Sequence, residues 1–177
     1  MTAQDFNTNL EQLTRKLKSE DSHYASIIRF VQIMYWIFIP MFTIKTISEY
    51  IDSKSIMVIY SGVCLIFSFV FIAILFRSYY KDFKYVDYSL PTLQMLKKAA
   101  NRYQLFPLRS VYFLMAFALM DVGLTLDWLD ENTTLLHTQI IFVGGIVWGF
   151  IIGLIIWYIR YKPLRDNALQ LIKEIEE

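Results

Sequence analysis

The sequence predicts an all-α membrane protein: four transmembrane helices arranged as two hairpins, with amphipathic helices on the cytosolic side. Three observations carry that prediction. Hydrophobic residues make up 56% of the 177 positions and aromatic residues 17%, against roughly 45–50% apolar content in soluble domains, so the excess needs lipid or a partner around it. Four apolar runs each approach the roughly 20 residues that a helix needs to cross the hydrocarbon core. Lys and Arg fall almost entirely in three segments, and the apolar runs lie between them.

Residues 1–26 predict a cytosolic amphipathic helix. Phe6, Leu10, Leu13 and Leu17 recur at spacings of three and four, which puts them on one helical face; Thr2 and Asp5 stand where a capping box would open it. Residues 27–76 form the first membrane hairpin, with spans at 27–47 and 56–76. Arg29, Gln32 and Lys45 stand toward the ends of the first span, and the second has no charge. Pro40 removes a backbone donor within the first span and frees the carbonyl near Trp36, which predicts a bend that shapes the helix.

Residues 77–110 form a basic cytosolic connector with its own amphipathic helix. Ser89 is placed to cap it, Pro91 to occupy its first turn, and Leu93, Leu96, Ala100 and Tyr103 to form its stripe before Pro107. Residues 111–159 form the second hairpin, with spans at 111–128 and 140–159; Asp121 and Asp127 lie in the first of these. Residues 160–177 predict a cytosolic C-terminal helix with Leu164, Ala168, Leu171, Ile172 and Ile175 on one face.

The basic residues set the orientation, because cytosolic loops retain Lys and Arg. Arg15, Lys16 and Lys18 precede span one; Arg77, Lys81, Lys84, Lys97, Lys98, Arg102 and Arg109 separate spans two and three; Arg160, Lys162, Arg165 and Lys173 follow span four. The other two connectors are short and acidic, with Glu49 and Asp52 in one and Asp127, Asp130 and Glu131 in the other, and they face outward. Both ends are therefore expected in the cytosol. Tyr79, Tyr80, Trp128, Trp157, Tyr158 and Tyr161 cluster at the boundaries, where amphipathic rings anchor depth. The start of the chain lacks the basic, apolar and small-residue pattern of a removable signal, so the first span is expected to remain in the mature protein.

A faint repeat at an offset of eighty residues aligns Leu10, Leu13 and Leu17-Lys18 with Leu90, Leu93 and Lys97-Lys98, and Arg29 and Val31 with Arg109 and Val111. Each half then reads as an amphipathic helix followed by a membrane hairpin, the kind of parallel duplication that relates some transporter halves.

Three sets of residues are singled out. Gly145, Gly149 and Gly153 line one edge of span four and let another helix backbone approach closely, either within the chain or across a homo-oligomer. Asp121, deep in span three, needs pairing, hydration or protonation, and Lys45 is the expected cationic partner, with Thr43 and Thr125 as hydrogen-bonding neighbours. It reads either as a polar clamp between helices or as an ion site. Leu93, Leu96, Lys97, Lys98 and Arg102 are docking candidates for a cytosolic protein; the same stripes equally suit the membrane interface or packing on one another.

The sequence offers little for catalysis. Cys64 is the only cysteine and sits in a chargeless span, excluding an internal disulfide or a multi-thiolate metal site. His23 and His137 are expected on opposite faces and cannot share a metal. No phosphate-binding glycine loop or paired-carboxylate site is present, so no cofactor is expected, and the net charge of +1 gives no basis for binding nucleic acid.

The stretch Val86-Asp87-Tyr88-Ser89-Leu90-Pro91, followed by Leu93-Gln94 and Leu96-Lys97-Lys98, resembles the juxtamembrane segment of small uncharacterised bacterial inner-membrane proteins often encoded beside extracytoplasmic-function sigma factors. The resemblance covers about a tenth of the chain. It implies a regulatory role at the membrane, although no soluble anti-sigma domain or zinc motif accompanies it. The expectation is a non-enzymatic membrane adaptor or signalling protein acting through cytosolic helices. The alternative is a small homo-oligomeric channel, transporter or membrane-perturbing effector using the glycine edge and Asp121. Membrane lipid, a cytosolic protein and a second copy of the chain are the expected partners.

Overall fold

A computed structural model describes residues 3–105, 107–130 and 135–176. The expectations for Thr2 and Glu131, and for the side chains of Asp5, Phe6, Trp128, Asp130 and His137, lie outside what is described. All regular structure in the described residues is helical: α1 Ala3–Ser53, α2 Ile56–Lys84, α3 Thr92–Arg102, α4 Val111–Asp130, α5 Leu135–Ile156 and α6 Lys162–Glu176. A 3-10 turn, Leu108–Ser110, leads into α4, and a π-helical stretch, Trp157–Tyr161, joins α5 to α6. Four helical stretches are long and apolar enough to cross a membrane, consistent with a multi-pass membrane protein.

The sequence separated an N-terminal helix from the first span, but α1 runs through both as one helix of 51 residues, including Pro40. Residues 20–30 contain neither Gly nor Pro, so nothing there stops propagation. The stretch eighty residues later is interrupted: α3 stops at Arg102, and Pro107 disfavours helical geometry at the residue before it. The eighty-residue repeat is therefore not matched by helix continuity. A tight junction joins α1 to α2. Lys54 adopts φ 52°, and its N–H donates to Tyr50 O at 2.8 Å.

The chain divides into two compact units: Met1–Ile27, Tyr79–Pro107 and Ile152–Glu177 form the first, and Ile28–Ser78 and Leu108–Ile151 the second. In the second, α2 is the central helix, burying Val58, Leu65, Phe69, Ile72 and Ala73. The α1 rings of Tyr35 and Phe42 pack on Phe76 and Phe69 of α2 at 5.8 and 4.9 Å. On the other side, Ser68 of α2 donates to Ala116 O of α4 at 2.8 Å, with both residues fully buried. Gly62 and Gly123 complete these contacts, lying against Thr46 of α1 and Leu65 of α2.

In the first unit, apolar stripes from three distant segments meet. Leu13, Leu17 and Ala25 come from α1, Met95, Leu96, Ala99 and Ala100 from α3, and Leu164, Ala168, Leu171 and Ile172 from α6. Their helical spacing gives each element one buried face, and α3 packs directly on α6.

Candidate functional site

The first unit closes around a carboxylate. Along α1, the positions of Leu13, Leu17, Asp21 and Ala25 recur every four residues, so the stripe that buries the leucines also carries Asp21 inward. Burying an unpaired carboxylate is prohibitive, and three donors from the 79–107 segment meet it. Tyr88 Oη donates to Oδ2 at 2.5 Å, Arg102 Nη2 to Oδ2 at 2.9 Å, and Tyr103 Oη to Oδ1 at 2.5 Å. Both Asp21 oxygens are engaged. Arg102 Nε is buried without a partner among the described residues, so the guanidinium holds the carboxylate through Nη2 alone.

Aromatic rings surround this clamp. Tyr103 stacks on Tyr161 at 5.6 Å, and Tyr24 meets Phe83 at 4.5 Å and Tyr161 at 5.1 Å. The π-helical stretch supplies several of these contacts together. Trp157 Nε1 donates to Tyr103 O at 2.9 Å, Tyr161 enters the ring cluster, and Arg160 forks onto Glu20 at 2.7 and 3.2 Å. Burial first, and Asp21 second, push the Tyr88 and Tyr103 phenols well above their ordinary value. Asp87 is held below the usual carboxylate range by the Ser89 hydroxyl and backbone N–H, with Lys98 adding to the effect.

Ser89 therefore does not cap α3 as expected. It donates to Asp87 in a local turn, at 2.6 Å from its hydroxyl, and Pro91 rather than Ser89 takes the N-cap position. The docking candidates divide. Leu96 is fully buried and Leu93 half-buried, so this stripe is core and not a free surface. Arg102 is committed to Asp21, Lys97 pairs with Glu176 at 2.7 Å, and Lys97 and Lys98 are exposed.

In the second unit, Lys45 does not reach Asp121. Its ammonium pairs with Asp127 at 2.8 Å and Glu49 at 3.0 Å, and Ser61 donates to the other Asp127 oxygen at 3.3 Å. Asp121 and Asp127 are six residues apart, about 9 Å along a helix, so a lysine level with one misses the other. Asp121 instead accepts from Gln139 Nε2 at 2.9 Å, and the same amide donates to Thr125 at 3.0 Å. Thr43 is satisfied within its own helix by Ile39 O.

The glycines of α5 are open: a Cβ at Gly145, Gly149 or Gly153 would meet nothing within 4 Å among the described residues. Gly145 and Gly149 instead line an apolar groove of about 650 Å³ with Phe117, Met120 and Leu124 of α4. The close approaches fall at Gly62 and Gly123, which sequence spacing did not single out. Asp21 was also missed, as was the part that Tyr88 and the stripe residue Tyr103 play in holding it; the available signal was an acid repeating in register with Leu13 and Leu17. Compared with family models, curated proteins and solved structures, the chain matches none.

Proposed function

We propose that this protein is a non-enzymatic adaptor or signalling protein of the bacterial inner membrane, with its spans paired as two hairpins and both ends in the cytosol. Its docking module is the unit formed by the first half of α1, the 79–107 segment and the C-terminal helix. One observation carries this reading: α1 and the 79–107 segment close on a buried carboxylate, Asp21, held by Tyr88, Arg102 and Tyr103, and the C-terminal segment packs on the same unit through Trp157, Tyr161 and α6. Anchoring spans requires only short loops. A folded unit with its own polar clamp presents one fixed surface, the property a partner can read. The basic residues in all three segments support a cytosolic position, and the resemblance of residues 86–98 fits a regulatory role.

Since Leu96 is core, the face offered by α3 is its exposed side, Lys97 and Lys98, which suits an acidic protein surface. The test is a pull-down of the full chain in mild detergent. Wild type should retain a soluble protein, and Lys98→Glu should release it without changing helical content or melting temperature. Equal retention by both, or none by wild type, overturns the docking role.

A second reading is a small homo-oligomeric channel, transporter or membrane-perturbing effector. The open edge at Gly145, Gly149 and Gly153 and the adjacent apolar groove favour it, because a second helix could approach there. Ion flux through liposomes that changes with Asp121→Asn would support this reading, and a monomeric mass without flux would remove it.

A further inference from the structure

Away from the clamp, α3 and α6 leave a groove of about 320 Å³ on the first unit. One edge carries Lys97, Asn101 and Gln104, and the other Arg165, Leu169 and Ile172, both at spacings of four and three residues. Lys97 is already held by Glu176, but Arg165 makes no ion pair among the described residues. A guanidinium and two carboxamides thus share the groove lining with the apolar side chains of Ala100, Leu169 and Ile172. The guanidinium matches a phosphate oxygen pair, the carboxamides can donate to further oxygens, and the apolar side chains beside them suit an amphiphile better than a fully hydrated ion.

Chain position narrows the source of the phosphate. Gln104 stands four residues ahead of Leu108, where the third membrane-length stretch begins, and Arg165 nine residues beyond Ile156, the end of α5. Both are tethered close to span ends, and the cytosolic leaflet carries anionic headgroups. We infer that this groove is a headgroup site for an anionic phospholipid, with Arg165 engaging the phosphate and Asn101 and Gln104 donating to the remaining oxygens. The inference rests on the proposed cytosolic placement of this unit, which impermeant labelling at Ser22, exposed and outside the groove, tests separately from lipid binding.

The experiment is native mass spectrometry of the full chain in mild detergent, with phosphatidylglycerol or phosphatidylcholine of matched acyl chains added. A single phosphatidylglycerol adduct is expected, weaker by about tenfold in Arg165→Gln, the equivalent of losing one charge-assisted contact. Arg165→Lys should retain part of it, because the charge remains and the fork is lost. Lys81→Gln, which removes an exposed charge elsewhere on the unit, should leave it unchanged. Equal binding of phosphatidylcholine overturns the inference, as does an equal loss from Arg165→Gln and Lys81→Gln, the mark of diffuse attraction. Displacement of the adduct by millimolar inorganic phosphate would assign the groove to a soluble anion and overturn the lipid assignment. Circular dichroism of each variant separates a lost site from a lost fold.

Discussion

The Asp21 side chain is 2% exposed and that of Arg102 14%, and among the described residues each is the other's only ionic partner. Removing one member leaves the other charge buried, so Asp21→Ala should destabilise the first unit by about 3–5 kcal/mol. Hydrogen exchange of α3 and α6 amides in detergent would report it; unchanged protection would show that the clamp does not hold the unit. The phenols add a pH signature. Tyr88 and Tyr103 titrate above the ordinary 10.0 because burial disfavours the phenolate and Asp21 repels it. Below that value, folded and unfolded chains hold the same phenolic protons, and stability is flat with respect to them. Above it, the unfolded chain releases protons that the folded chain keeps, so stability falls as pH rises. Unfolding midpoints should hold between pH 8 and 9 and drop toward pH 11. The Tyr88→Phe/Tyr103→Phe variant should start lower and show a shallower alkaline decline.

At the scale of the helices, spacing and contact diverge. The glycines at 145, 149 and 153 stand out in the sequence because they repeat along one edge, yet that edge is open among the described residues. The isolated Gly62 and Gly123 are the positions where helices nearly touch. An added methyl at Gly62 collides with Thr46, whose hydroxyl is pinned to Phe42 O, and one at Gly123 meets Leu65 Cγ at 2.7 Å. Gly62→Val and Gly123→Val should therefore each cost about 1–3 kcal/mol. Gly149→Ala should leave the melting temperature in detergent equal or higher, since alanine favours a helix by about 1 kcal/mol over glycine. A loss at Gly149 matching that at Gly62 would mean that the α5 edge is packed after all. Lys54→Gly should stabilise the α1–α2 junction by up to about 1 kcal/mol, because glycine adopts the positive φ without strain. The apolar runs and amphipathic stripes were legible in the sequence because periodicity along one helix is enough to reveal them. Helix partners were not. Lys45 pairing with Asp127 instead of Asp121, and Leu96 facing the core of the first unit, depend on which residues distant in sequence share a level. Asp21 was legible in part, since its four-residue register with Leu13 and Leu17 was visible, but its three partners lie 67 to 82 positions away.

For the whole chain, an even number of crossings has a direct consequence. If four stretches span the bilayer, the three segments of the first unit must lie on one side, because each pair is separated by two or four crossings. The clamp requires one side for the first two segments independently, since Asp21 cannot meet Tyr88, Arg102 and Tyr103 across a hydrocarbon core of about 30 Å, and the packing of α3 on α6 does the same for the third. Cys64 is the only cysteine, so Cys64→Ser gives a background in which single cysteines can be introduced. In intact cells, a membrane-impermeant maleimide should leave cysteines at Ser22, Asn101 and Asn167 unlabelled and label those at Asp52 and Thr133; inverted vesicles should reverse the pattern. The proposed orientation, from Lys and Arg, predicts which group is external. Labelling of all five with the opposite sign would refute the assigned direction and leave the four-span fold intact. Asn101 and Asn167 labelled from opposite sides would instead be incompatible with both the crossing count and the packing of α3 on α6.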